Sequence, residues 1–273
     1  MLGKRVFTAL WGIPLLVVAV WFSAPEYSFP WFTVLAVVWG LLAAVEYYRL
    51  TGVAQLPILT WCGLLFTLIF ILQPHIEFEL NVPLITLLVT AAVVLSLVLL
   101  VFLPKKEGLF TGWAWMMGGI FYVGWLLGIL VSLRIDAGRN WVLLALFATF
   151  GSDTAAYFIG RAIGKHKMAP QISPSKTWEG AIAGVFGAVI VSLLFKLPAP
   201  WELPIGYGEV IILGMLISVF GQFGDLAESL LKRNTGAKDS GRLMPGHGGL
   251  LDRMDSVVFA GAVVYLYYML VMV

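Results

Sequence analysis

Long apolar stretches alternate with short polar ones along the whole chain. Nine stretches approach the ~20 residues that a helix needs to cross ~30 Å of hydrocarbon. They run over residues 6–23, 29–47, 56–72, 82–103, 110–133, 141–160, 181–195, 209–231 and 256–273. Those at 56–72 and 181–195 are short and can extend into their flanks. The stretch 110–133 carries Gly112, Gly118, Gly119, Gly124 and Gly128. Small residues let helices approach closely, which places this span in the interior; the Gly pair is also where it would break. The first stretch follows Lys4 and Arg5, as in a signal peptide. Its length and the many spans behind it favour a retained helix, with cleavage after Ala24 as the alternative.

Composition agrees with the pattern. The chain is 60% hydrophobic and 12% charged, where soluble domains carry about 25% charge. So few charges cannot cover a water-facing surface. The expectation is an all-α, polytopic integral membrane protein of about nine transmembrane helices. Fourteen of the 17 Lys and Arg fall in one alternate set of loops; only Arg134, Arg139 and Lys196 fall in the other. The positive-inside bias puts the larger set in the cytoplasm, with the N-terminus inside and the C-terminus outside. Residues 1–139 read as an N-terminal set of about five spans, and 140–273 as a C-terminal catalytic region with two cytoplasmic loops, 161–180 and 232–254. The single cysteine, Cys62, allows no intrachain disulfide. No CxxC pair or His/Cys cluster suggests zinc.

Polar residues gather in one stretch, SLLKRNTGAKDSGRLMPGHGGLLDRMD, over 229–255. Asp153 lies eight residues before Arg161, and Asp225 seven before Lys232. At ~1.5 Å per residue both sit roughly 10 Å inside a cytoplasmic helix end, where a carboxylate needs a cavity, a cation or a metal. Asp225, Glu228, Ser229 and Lys232 fall at i, i+3, i+4 and i+7 and share one helical face. The plain alternative is an internal Glu228–Lys232 ion pair, which leaves Asp225 without a partner. Asp252 and Asp255 stand one turn apart at the start of the last span. One acid there suits a helix N-terminus; two make a natural pair of magnesium ligands, which Asp225 could complete. Glu46 is the one further acid well inside an apolar run, and a snorkelling or capped end accounts for it.

His247 is bracketed by Gly246, Gly248 and Gly249, which permit positive φ and close approach to a phosphate. Lys232, Arg233, Lys238, Arg242 and Arg253 surround it. These cations suit a polyanion, or merely anionic lipid headgroups. In the other loop Lys176 is a candidate phosphate contact, Thr177 or Ser175 a helix cap with Glu179 in the first turn, and His166 a solvated residue. Metal-binding aspartates beside such a loop suit phosphoryl or nucleotidyl transfer. Such a site would admit a lipid headgroup from the bilayer and a nucleotide from water. No Walker A or GxGxxG run identifies the nucleotide. A transporter would show polar residues along a path to the outside, but the outer halves of these spans are apolar. A CDP-alcohol phosphotransferase would show DGxxAR with paired downstream aspartates, and no such run occurs.

The stretch Ser229-x-x-Lys232-Arg233-x4-Lys238-Asp239-x-Gly241-x3-Pro245-x-His247-Gly248-Gly249-x-x-Asp252-Arg253-x-Asp255 closely resembles the signature of phosphatidate cytidylyltransferases. SDTAAYFIGRAIGKHK and SPSKTWEG also look like family segments, so the likeness is good over about 140–273. Met244 departs slightly from the family's usual Leu, Ile or Phe. The resemblance implies that CTP and phosphatidic acid give CDP-diacylglycerol and pyrophosphate, with Mg2+. A monovalent cation such as K+ beside it is consistent with the family. It implies catalytic roles for Asp225, Asp252, Lys232 and His247. Metal binding falls to Asp225, Asp252 and Asp255. Nucleotide contacts fall to Lys176, Lys232, Arg233, Lys238, Gly248, Gly249 and Arg253. The lipid phosphate is already an anion, so His247 would position phosphate rather than take a proton. The expected setting is the cell inner membrane, with the site facing the cytoplasm, among membrane lipids, in a homodimer, and with no nucleic-acid partner.

Overall fold

The structure is a computed structural model that describes residues 2–26, 28–76, 82–103, 107–198, 200–241, 243 and 248–273, with backbone alone for 2–10. It consists of two compact units: Met1–Val131 with Asp239–Leu251, and Ser132–Lys238 with Asp252–Val273.

The first unit holds helices α1 (Leu2–Trp21), α2 (Trp31–Leu50), α3 (Pro57–Leu72), α4 (Leu84–Phe102), α5 (Leu109–Gly119) and α6 (Leu126–Ser132). The glycine-rich stretch does not break. The chain widens into a π-helical turn at Ile120–Trp125, so α5 and α6 form one continuous rod. Gly118 and Gly119 face α2, whereas Gly124 and Gly128 face α3. A Cβ at Gly118 or Gly119 would collide with the buried rings of Tyr47 and Tyr48. Tyr48 donates its hydroxyl to the Met116 carbonyl at 3.4 Å.

Glu46 corrects an expectation. It neither snorkels nor caps a helix end: it is 2% exposed, among the buried residues of α2. Its Oε2 accepts the Ser240 hydroxyl at 3.2 Å and the Leu251 backbone N–H at 3.0 Å. A carboxylate taken out of water needs such donors.

The second unit holds α7 (Arg139–Ile163), α8 (Trp178–Leu194), α9 (Tyr207–Asn234) and α10 (Asp255–Val271). Small residues bring α7 and α8 together. A Cβ at Gly187 would meet the Gly151 carbonyl at 2.6 Å, and one at Gly180 would meet the Gly160 Cα at 3.1 Å. Ile182, Phe186, Ile190 and Leu194 recur every fourth residue of α8, all exposed. An outward apolar stripe of this kind suits lipid rather than water.

The 161–180 loop departs from an all-α reading. Strands β1 (Lys167–Ala169) and β2 (Ser173–Thr177) pair antiparallel, Lys167 with Thr177 and Ala169 with Ser173. Pro170 and Pro174 exclude helix here. Thr177 is the N-cap of α8 and accepts the Gly180 N–H at 3.2 Å. Glu179, in the first turn, accepts a hydrogen bond at 2.6 Å from His166 Nδ1.

Every apolar stretch of the sequence coincides with helix. Among the described residues six helices are long and apolar enough to cross a membrane, and Trp11–Trp21, Trp178–Leu194 and Asp255–Val271 are shorter apolar helices. The protein is a predominantly helical integral membrane protein.

Candidate active site

The second unit contains a cavity of about 760 Å3 bounded by α7, the β-hairpin, the start of α8 and α9. Asp153 and Arg161 reach it from α7, Lys167 and Lys176 from the hairpin, and Gln222 and Asp225 from α9. This mix of cations and acids sits between helices whose other faces are apolar. Such a cavity, with a few convergent polar groups, is the default place to look for a binding site.

Lys176 is the partner that Asp225 lacks on its own helix. Its Nζ lies 2.6 Å from Asp225 Oδ2, with the lysine side chain 20% exposed and the aspartate 37%. It also approaches the Gln222 carbonyl at 3.5 Å. Ser229 donates to Asp225 Oδ1 at 3.3 Å from one turn along α9. Asp153 is exposed to the cavity and lies within electrostatic range of Asp225, Lys176 and Arg253. Sequence reasoning noticed Asp153 but gave it no role. The signal was its depth, equal to that of Asp225.

A second ionic group forms where α9 meets α10. Lys232 Nζ lies 2.6 Å from Asp252 Oδ1 and also pairs with Glu228, four residues back on α9. The Glu228 side chain is fully buried and that of Lys232 13% exposed. The plain ion-pair reading of Glu228 and Lys232 is therefore correct as far as it went, and Asp252 joins it. Gly224 allows the close approach here, since a Cβ on it would overlap the Asp255 carbonyl. Asp255 is buried, accepts the Ser256 N–H at 2.7 Å, and lies within electrostatic range of Asp225 and Asp153.

Of the expected metal triad, Asp225 and Asp255 lie within electrostatic range of each other. Among the described residues no three His, Cys, Asp or Glu side chains are arranged as metal ligands. Asp252 is committed to Lys232, and Asp255 to a backbone N–H. Magnesium often uses only one or two protein carboxylates, with waters and substrate phosphates completing its shell. Asp225, part-exposed, and Asp153, both on the cavity wall, fit that donor chemistry.

Of the remaining candidates, Arg253 lies within electrostatic range of Asp153. Arg233 is exposed and donates through Nε to the Ile172 carbonyl at 3.1 Å, so it braces the hairpin turn. Lys238 and Arg253 are exposed. Gly248 and Gly249 belong to the first unit. Gly248 has φ +83°, a left-handed conformation that glycine adopts without a Cβ penalty. Gly249 is buried against Glu46, leaving no space for a Cβ. His247 and Arg242 lie outside the described residues.

Comparison with known proteins bears on this chemistry. The sequence pattern of the Cytidylyltransferase family matches residues 3–271. The chain is 34% identical to the phosphatidate cytidylyltransferase of Bacillus subtilis (strain 168) over 241 residues, 88% of each chain. It is 35% identical to that of Staphylococcus haemolyticus (strain JCSC1435) over 223 residues, 80% of this chain and 84% of the relative. Against the phosphatidate cytidylyltransferase of Brucella suis biovar 1 (strain 1330) the identity is 45% over 163 residues, which span 58% of either protein.

Proposed function

This chain belongs to the cytidylyltransferase family, and from that premise we propose that it transfers a cytidylyl group from CTP to phosphatidic acid. The products are CDP-diacylglycerol and pyrophosphate. One observation carries the proposal: a cavity lined by both carboxylates and cations, walled by membrane-type helices.

A phosphate oxygen of the lipid attacks the α-phosphorus of CTP, and the bond from that phosphorus to the bridging oxygen of the β-phosphate breaks. Pyrophosphate leaves with the electron pair. The lipid phosphate is anionic at neutral pH, so no side chain need take a proton from it. Lys176 and Lys232 are each held by an aspartate at 2.6 Å. Both are thereby oriented as fixed positive charges, ready to stabilise the negative charge that builds on the leaving phosphates. Arg161 and Lys167 extend the positive side of the cavity. Asp225 would hold magnesium, with Asp153 or Asp255 as a second carboxylate. Magnesium supplies Lewis-acid charge neutralisation on the phosphate oxygens. Asp252 would act through Lys232 by fixing its ammonium.

We place the protein in the cell inner membrane with nine crossings, the N-terminus and the cavity on the cytoplasmic side and the C-terminus outside. The 14-to-3 division of Lys and Arg between alternate loops supports that orientation. A homodimer and a monovalent cation such as K+ beside magnesium complete the reading, both on family resemblance.

The deciding experiment supplies purified protein in mixed micelles with phosphatidic acid and CTP, and follows pyrophosphate and CDP-diacylglycerol. Turnover should require phosphatidic acid and stop with EDTA. Pyrophosphate release without phosphatidic acid, or no product at all, would reject the proposal. A reporter fused to the C-terminus should be active only outside the cytoplasm.

A further inference from the structure

Glu46 lies far from the polar stretch in sequence, yet that stretch closes on it. Ser240, 194 positions away, donates its hydroxyl to Oε2, and Leu251 donates its backbone N–H to the same oxygen. Gly241 and Gly249 pack so tightly on the carboxyl that a Cβ on either would overlap it. Trp39 stands seven residues before Glu46, on the same face of α2, and donates Nε1–H to the Leu250 carbonyl at 3.3 Å. One carboxylate thus meets residues from both ends of the glycine-rich loop: Ser240 and Gly241 at its entry, Gly249 and Leu251 at its exit.

Ionised carboxyls are expensive to bury, and their hydrogen bonds are worth more than neutral ones. An apolar side chain at position 46 would make a better membrane helix and would remove the oxygen that Ser240 and Leu251 share. The exit of the loop also leads straight into the ionic group. Leu251 is bonded covalently to Asp252, whose carboxylate fixes Lys232. Where the Leu251 N–H is held, the start of Asp252 is held with it.

We propose that Glu46 is a positioning residue for the transfer reaction. It clamps the two ends of the 240–251 loop together and so sets Asp252 on Lys232. The effect on turnover rests on the function proposed above; the clamp itself does not.

The test uses the full chain in detergent or nanodiscs, with Glu46→Gln, Glu46→Ala, Ser240→Ala and the Glu46→Ala/Ser240→Ala pair. Hydrogen exchange reads the clamp without any activity. The amides of Ser240 and 248–251 should exchange at least about tenfold faster in Glu46→Ala, while those of α7 and α8 stay as in the wild type. Glu46→Gln keeps an acceptor oxygen of nearly the same reach. It should lie between the two, with kcat lowered by about tenfold and the KM for CTP changed little. Ser240→Ala should add nothing further on top of Glu46→Ala, because the two share one interaction. Unchanged exchange at 248–251 in both Glu46 variants overturns the clamp. Turnover that falls only in proportion to folded protein overturns the positioning role. A wild type inactive on CTP and phosphatidic acid would reject the proposed function and leave the exchange result standing.

Discussion

Lys232→Met offers the sharpest measurement on the ionic group between α9 and α10. In the native protein one ammonium serves two carboxyls, Glu228 and Asp252, whose side chains are 0% and 8% exposed. Methionine keeps the length and apolar stem of lysine but removes the charge. Two acids are then left side by side out of water, with no cation between them. Removing one partner of a buried pair costs about 3–5 kcal/mol. At roughly 2–4 °C per kcal/mol for a chain of this size class, melting should fall by about 10 °C. Turnover should fall as well, since Lys232 supplies positive charge to the leaving phosphates in the proposed reaction. The second variant separates these effects. Adding Glu228→Gln to Lys232→Met removes one of the two stranded acids and should restore about half of the lost stability. It should restore none of the turnover. Thermal unfolding in detergent, followed by intrinsic tryptophan fluorescence, reads the first quantity, and CTP-dependent pyrophosphate release the second. A Lys232→Met protein that melts within about 2 °C of the wild type would refute the burial argument. So would a double variant no more stable than the single one.

Three further outcomes follow from the geometry. Asp225→Asn should lower turnover by about 10²- to 10³-fold with melting nearly unchanged, because its pair with Lys176 is part-exposed; wild-type kcat in this variant would remove Asp225 from the proposed metal site. Thr177→Ala should cost about 1 kcal/mol through loss of the α8 cap, and Thr177→Ser should recover most of it, both read from melting curves. Gly187→Val should destabilise by about 1–3 kcal/mol or more, since its Cβ would sit 2.6 Å from the Gly151 carbonyl and the Ala155 side chain; equal stability would mean that α7 and α8 are not in contact there.

The helices were legible because the bilayer demands a continuous apolar run of fixed length, and such a run is visible residue by residue. Asp225 and Lys232 were legible for the complementary reason: a charge in such a run stands out. Their partners were not. Periodicity places Asp225 on a helical face but says nothing of a lysine 49 positions earlier on a β-strand. The hairpin itself was hidden in a polar loop, with strands of three and five residues that carry no alternation worth reading. Glu46 was misread for the same cause. Nothing near it in sequence hints at Ser240 or Leu251, so a local account by snorkelling was the natural one. Nor did the one-turn spacing of Asp252 and Asp255 announce that Lys232 pairs with the first and the Ser256 N–H with the second.

The glycine seam between α7 and α8 has a practical consequence for anyone redesigning the cavity. Along that seam Gly180 and Gly187 already meet main chain, so neither can be enlarged without prising two helices apart. The hairpin wall is built differently: Lys167 and Ser175 reach inward from short exposed strands and can be exchanged without disturbing a helix. Attempts to change what the cavity admits should therefore begin with the strands, because enlarging the glycine seam will cost stability before it changes selectivity.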